Sequence, residues 1–222
     1  MLSEIENNII NGFVTVTGIP YEMLSNKLLQ NKEEGTYPYW AFNTKPVEGN
    51  EVELSPVETI ICRRVGPMRT KAARDNNLKN MRQVNQEKEE FIEINGLAGE
   101  LCYAKKFNLY PKDQLIVESR KSKDDCGDFI HNNCIVDVKT TEYSTGRLTC
   151  ASWKNKDKVK VFCLFTGDYR KSWVYSFKGW MLSSDLCVAE RFGVLPGRKR
   201  SQYIAEQKDL VREFPIIKDE NV

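Results

Sequence analysis

Histidine is almost missing: among 222 residues there is one, His131. A Ser-His-Asp triad or a histidine-rich metal site would have to be built on it. It stands beside Asn132 and Asn133, where a solvated turn residue is the plain expectation. The seven cysteines (Cys62, Cys102, Cys126, Cys134, Cys150, Cys163 and Cys187) include no C-x-x-C pair, which argues against a short-spaced zinc site. Their odd number, without a signal-peptide-like apolar segment at the N-terminus, points to reduced thiols in a cytoplasmic compartment. No apolar run approaches the length of a membrane span. Net charge is only +2, so any case for a polyanionic partner must come from local clustering. There is no repeat and no low-complexity segment. What remains is a chain with 41% hydrophobic residues, long enough for one domain with elaborations.

The most informative stretch is Cys126 to Lys139. Phe129-Ile130 ends one short apolar run, and Cys134 to Val138 forms a second with β-branched residues. Between them His131-Asn132-Asn133 is turn chemistry, because Asn tolerates positive φ. The spacing predicts a tight β-hairpin. Strand alternation then places Ile135, Asp137 and Lys139 on one face and Cys134, Val136 and Val138 on the other. Asp137 and Lys139 would lie about 7 Å apart along the strand, with Asp128 brought close by the hairpin. Charges on an otherwise apolar strand are costly unless paired, solvated or bound to a metal.

Elsewhere, Phe13 to Thr17 reads as a strand. Pro20 to Gln30 reads as a short helix that ends before Gly35. Tyr37 to Phe42 is an aromatic cluster, suited either to packing a small N-terminal layer or to stacking on unpaired bases. Val57 to Val65 reads as a further strand. Glu87 to Phe107 carries Phe91, Ile94, Leu97, Ala98, Leu101 and Ala104 at helical spacing. Gly96 and Gly99 would let that helix pass close to a sheet. Strands are expected at Leu115–Val117, Arg147–Ala151, Val159–Thr166 and Trp173–Phe177, and helices at Gly179–Glu190 and Ser201–Glu213.

Residues 63–82 hold Arg63, Arg64, Arg69, Lys71, Arg74, Lys79 and Arg82 against one acid, Asp75. That is net +6 in twenty residues of a nearly neutral chain. From about Pro67 the composition favours helix. A solvated helix face is one reading and a polyanion such as DNA is the other. Arg198-Lys199-Arg200 makes a second basic tip.

Gly96-Leu97-Ala98-Gly99-Glu100 on a helix, then Gly127-Asp128, then Asp137-Val138-Lys139, resembles the PD-(D/E)XK nuclease superfamily over about residues 90–178. That superfamily includes restriction enzymes, phage nucleases, recombination exonucleases and junction resolvases. The proline that precedes the first Asp in the family pattern is Gly127 here. The core helix expected after the third strand is not evident in residues 140–158. The resemblance implies an α/β fold, a restriction-endonuclease-like mixed β-sheet flanked by helices. Residues 1–64 would be an N-terminal elaboration and 65–222 the nuclease core. It implies hydrolysis of DNA phosphodiesters, most simply by an endonuclease. An exonuclease, a branched-DNA resolvase or a non-catalytic nucleic-acid-binding protein are the alternatives.

One or two Mg²⁺ or Mn²⁺ ions would be held by Asp128, Asp137 and the Val138 carbonyl. Glu100 would bind a second ion through water or steady a ligand. Lys139 would orient or deprotonate the attacking water, or stabilise the transition state. Asp125 and Glu142 are neighbouring carboxylates able to replace these assignments. Arg63, Arg64, Arg69, Lys71, Arg74, Arg198, Lys199 and Arg200 would clamp the DNA backbone. By analogy with such endonucleases a homodimer is implied.

Overall fold

A computed structural model describes residues 1–75, 86–115, 117, 127–152, 158–196 and 200–215. Lys79, Arg82, Asp125, Cys126, Arg198 and Lys199 lie outside the described residues. Two helices open the chain, α1 (Glu4–Thr17) and α2 (Tyr21–Glu34). The expected strand at Phe13–Thr17 is the end of α1. Ser3 and Glu6 close a capping box at its start, and Ile9, Ile10, Phe13 and Val14 pack with Leu24 and Leu28. That capping and the i, i+4 apolar spacing override the local β-propensity of Val and Thr. Gly18 and Gly35 end the two helices in left-handed conformations.

The Tyr37–Phe42 cluster is core. Tyr37, Ala41 and Phe42 are buried, and the tilted rings of Tyr37 and Phe42 pack at 5.2 Å between centroids. After β1 (Glu51–Glu53) comes α3 (Pro56–Asp75), which replaces the strand expected at Val57–Val65. Ser55 is its cap: its hydroxyl accepts from the Glu58 N–H at 3.4 Å, and the Glu58 carboxylate accepts from the Ser55 N–H. Pro56 sits in the first turn, where a missing N–H costs nothing. The division expected at residue 64 therefore falls inside one continuous helix. Pro67 lies within it, not at its start. The long helix α4 (Gln86–Lys106) runs unbroken through Gly96 and Gly99.

The hairpin forms as its sequence implies, from β2 (Phe129–His131) and β3 (Cys134–Thr141). Asn132 and Asn133 both take positive φ, 49° and 60°, as a type I′ turn requires. Then follow β4 (Leu148–Ala151), β5 (Val161–Thr166) and β6 (Val174–Leu182). A single turn α5 (Ser183–Leu186) leads to β7 (Phe192–Val194) and β8 (Ser201–Ala205). Leu115 belongs to a 3₁₀ turn, Asp113–Leu115, and not to a strand. Neither expected C-terminal helix forms as drawn. Residues 179–182 continue β6, and Ser201–Ala205 is a strand filling the gap between β4 and β7. In both places sheet pairing outweighs local helix propensity.

The main sheet is mixed, ordered β1-β6-β5-β3-β2, with β3 and β5 parallel and the other pairs antiparallel. Its centre, β5, is buried along its whole length. Val161, Cys163 and Phe165 face the α4 side with Leu97, Leu101 and Tyr103. Phe162 and Leu164 face a second core with Leu148, Cys150 and Met181. A curled mixed sheet flanked by helices is thus the architecture. Among the described residues no helix is long and apolar enough to cross a membrane.

Candidate active site

The site grows from the hairpin. Val136 and Val138 of β3 belong to the core shared with α4, so alternation turns Asp137 and Lys139 to the other face together. Asp137 is only 1% exposed and its carboxylate is ion-paired with the Lys139 ammonium. The hairpin register pairs Phe129 with Val136, and Asp128 lies just before that paired strand. The Asp128 N–H donates to the Val136 carbonyl at 2.8 Å, and its Oδ2 accepts from the Val138 N–H at 2.6 Å. Gln114 Nε2 donates to the Asp128 carbonyl at 3.2 Å.

Gly127, just before Asp128, takes a backbone conformation that few other residues could. Its φ is +84°, which proline cannot adopt, and a Cβ would stand 2.5 Å from Ile135 Cγ2.

Glu100 comes from α4, on the opposite face of the sheet from Asp137. What brings it near is Gly99. A Cβ there would lie 1.9 Å from Thr140 Oγ1, so only glycine lets α4 rest this closely on β3. Gly96, the other glycine read as a close-packing device, faces nothing within 4 Å. Asp128 joins the two sides electrostatically. Burial raises its pKa well above the ordinary carboxylate value, and the charges of Asp137 and Glu100 push it further. Lys139 and the Val138 N–H act against that rise without cancelling it.

Arg69 is the residue whose place sequence reasoning missed. Expected among the residues that clamp the DNA backbone, it is 4% exposed and turned inward from α3. Its Nη1 donates to Glu100 Oε2 at 3.0 Å. Burial opposes its charge, yet Glu100, Glu93 and Asp128 together raise its pKa. Gly66 supplies the close approach: a Cβ there would meet Ile94 of α4 at 2.8 Å. The available signal was helical phase, since Arg69 lies one turn from buried Val65 and so on the face opposite Arg63 and Arg74.

The other basic residues sit elsewhere. Arg63, Arg64, Lys71 and Arg74 are exposed on α3. Arg63 covers the Tyr169 and Trp173 rings, at 5.6 and 5.2 Å, and Arg74 pairs with Glu89. Arg200 is exposed. Glu142 is engaged with Arg170 and does not join the centre. His131 is no solvated turn residue. It is half-buried, its Nδ1 lies 2.6 Å from the Tyr103 hydroxyl, and its ring packs on Phe214 at 4.7 Å. Burial lowers its pKa.

Among the described residues no three acidic, cysteine or histidine side chains form a ready metal cage. The donor chemistry nevertheless suits a hard divalent cation. All donors are oxygens, and a buried carboxylate held between two others is the arrangement a cation relieves. Comparison with known proteins adds no activity: no curated protein and no solved structure matches the chain. A family match covers residues 46–172, which span α3, α4, the hairpin and β5, and with them Arg69, Glu100, Asp128, Asp137 and Lys139. By that match the chain belongs to the family of unknown function DUF5843.

Proposed function

We propose that the protein is a divalent-cation-dependent nuclease of restriction-endonuclease-like fold that hydrolyses DNA phosphodiester bonds, most simply as an endonuclease. One observation carries the reading: Asp128 is electrostatically joined to both Asp137 and Glu100, with Lys139 beside Asp137. Asp128 and Asp137, with the Val138 carbonyl, would hold Mg²⁺ or Mn²⁺. The bound ion would neutralise phosphate oxygens and acidify a water. Lys139 lies at the rim, about a third exposed, where it can orient or deprotonate the attacking water or meet charge developing on the phosphate. Glu100, from the α4 side, would bind a second ion through water or steady a metal ligand. Arg63, Arg64, Lys71 and Arg74 form an exposed basic face that attracts the DNA backbone.

A second reading is favoured by the ion pairs themselves. Lys139–Asp137 and Arg69–Glu100 satisfy the site internally, as a non-catalytic nucleic-acid-binding protein would need. Cleavage assays separate the two. Purified protein with Mg²⁺ or Mn²⁺ should cut duplex, single-stranded or branched DNA, and Asp137→Asn and Lys139→Ala should abolish cutting while DNA binding survives. Intact DNA in every case, with binding retained, would favour the non-catalytic reading.

A further inference from the structure

Resting on the DNA-binding part of that reading, we propose that a stack of aromatic rings and guanidinium groups beside the basic face of α3 is a docking platform for unpaired bases, so that the preferred substrate carries single-stranded DNA. The stack is made by Phe91 of α4, Tyr169 and Trp173 of the loop between β5 and β6, Arg170 of the same loop and Arg63 of α3.

The groups are layered. The Arg170 guanidinium lies 3.9 Å from the centre of the Phe91 ring. Phe91 stacks on Tyr169 at 5.4 Å with the planes 28° apart, and Tyr169 meets Trp173 at 5.3 Å and 32°. Arg63 lies over both Tyr169 and Trp173. All three rings are half-buried, and Tyr169 and Trp173 pack against the main core. Near-parallel rings joined by planar cations suit a base, because every base has a π-face and arginine adds to stacking. The loop is also built in advance. Asn95, buried in α4, donates from Nδ2 to the Gly167 carbonyl at 3.0 Å. Its Oδ1 accepts from the Tyr169 N–H at 3.4 Å and from the Tyr175 hydroxyl at 2.7 Å. The N–H groups of Lys171 and Ser172 donate to the Asp168 carbonyl at 2.9 and 3.0 Å. A platform held this way loses little freedom when a base lands on it.

Charge and place select the partner. Among the described residues Arg63 forms no ion pair, and it shares α3 with the exposed Arg64 and Lys71, a track for phosphates. A base entering over Tyr169 and Trp173 would take the place of the Arg63 guanidinium on the rings and leave it to meet the adjoining phosphate. At the other end of the stack Glu142 and Asp168 are both engaged by Arg170. Phe91, Asn95 and Gly99 follow at i, i+4 and i+8 on the α4 face that meets the Tyr169 loop and then Thr140 of β3. The stack therefore stands about 12 Å along α4 from Thr140, the neighbour of Lys139. One strand can lie on the platform and reach the Asp137–Lys139 centre. Duplex DNA, with its base faces covered by neighbouring pairs, offers the rings nothing to stack.

Fluorescence anisotropy with labelled oligonucleotides in EDTA, where metal-dependent cutting is silenced, tests this by binding alone. Wild type should bind a short thymidine oligonucleotide at least about fivefold tighter than a strand of the same length made of abasic sites, which keeps the phosphates and removes the bases. It should also prefer that oligonucleotide to a blunt duplex of the same length. Tyr169→Leu keeps an apolar side chain but loses the π-face. It should bring the thymidine strand down to the abasic one with the salt dependence unchanged, while Tyr169→Phe should keep the preference. A preference that persists in folded Tyr169→Leu, checked by circular dichroism, would overturn the inference. If Tyr169→Leu does not fold, the wild-type comparison decides, and equal affinity for thymidine and abasic strands would overturn it. Duplex bound as tightly as the thymidine strand would likewise overturn it and leave the nuclease reading standing. No binding of any of these probes would defeat the DNA-binding reading, and this inference with it.

Discussion

Gly96 and Gly99 lie three residues apart in α4, and changing each to alanine should shift stability in opposite directions. In a helix interior alanine is favoured over glycine by about 1 kcal/mol. At Gly96 a Cβ would meet nothing within 4 Å, so Gly96→Ala should stabilise by roughly that amount. At Gly99 the same gain applies, but the new Cβ would lie 1.9 Å from Thr140 Oγ1, 3.0 Å from Cβ and 3.1 Å from Cγ2. Rotating the threonine brings no relief, since all three of its side-chain atoms crowd the position. The helix must lift from β3, and overpacking of that kind costs about 1–3 kcal/mol. The net change for Gly99→Ala runs from near zero to a loss of about 2 kcal/mol, and the two variants should differ by about 1–3 kcal/mol. Urea unfolding followed by tryptophan fluorescence measures both, provided the slope with denaturant is unchanged. Equal stability of the two variants would refute the close approach of α4 to β3 and the placement of Glu100 that depends on it.

Three further outcomes are expected. Lys105→Met strips the cation from Glu58, which is fully buried and also accepts from Tyr37 and Ser55, and should cost about 3–5 kcal/mol; adding Glu58→Gln should recover much of that in a thermal melt. The Asp168 carboxylate is held below its ordinary value near 3.8, first by hydrogen bonds from the Arg170 side chain. Its stabilising contribution is therefore present in full above that value and lost as pH falls through the lower folded value; Asp168→Asn should flatten the acid limb of stability against pH, and an unchanged limb would count against the pairing. Alanine at Arg64 or Lys71, both exposed on α3, should weaken DNA binding uniformly across sequences and lower the slope of log affinity against log salt by about one per residue removed.

Local chemistry made the hairpin legible. Asn132-Asn133 closes it through positive φ, and period two sets Asp137 and Lys139 on one face whatever surrounds them. Helix α4 was equally plain from its apolar spacing. Other elements carried signals that compete. Val57–Val65 has a β-rich run, yet Ser55-Pro56-Val57-Glu58 in front of it is a capping box with proline in the first turn, and the cap prevails. Residues 179–182 and 201–205 have no local preference strong enough to resist their sheet partners.

The amino-acid sequence by itself determined the hairpin, the shared face of Asp137 and Lys139 and the acidic residues available to the site, because each depends on contacts between near neighbours. Only the tertiary structure decided that Arg69 leaves the basic stripe to pair with Glu100, thirty-one residues away along the chain. It alone decided that Gly99, and not Gly96, sets the approach of α4 to the sheet, and that Gly127 needs a backbone angle proline cannot take. These depend on how α3, α4 and β3 pack against one another, and burial is what turns a charge on a helix into a paired member of a site.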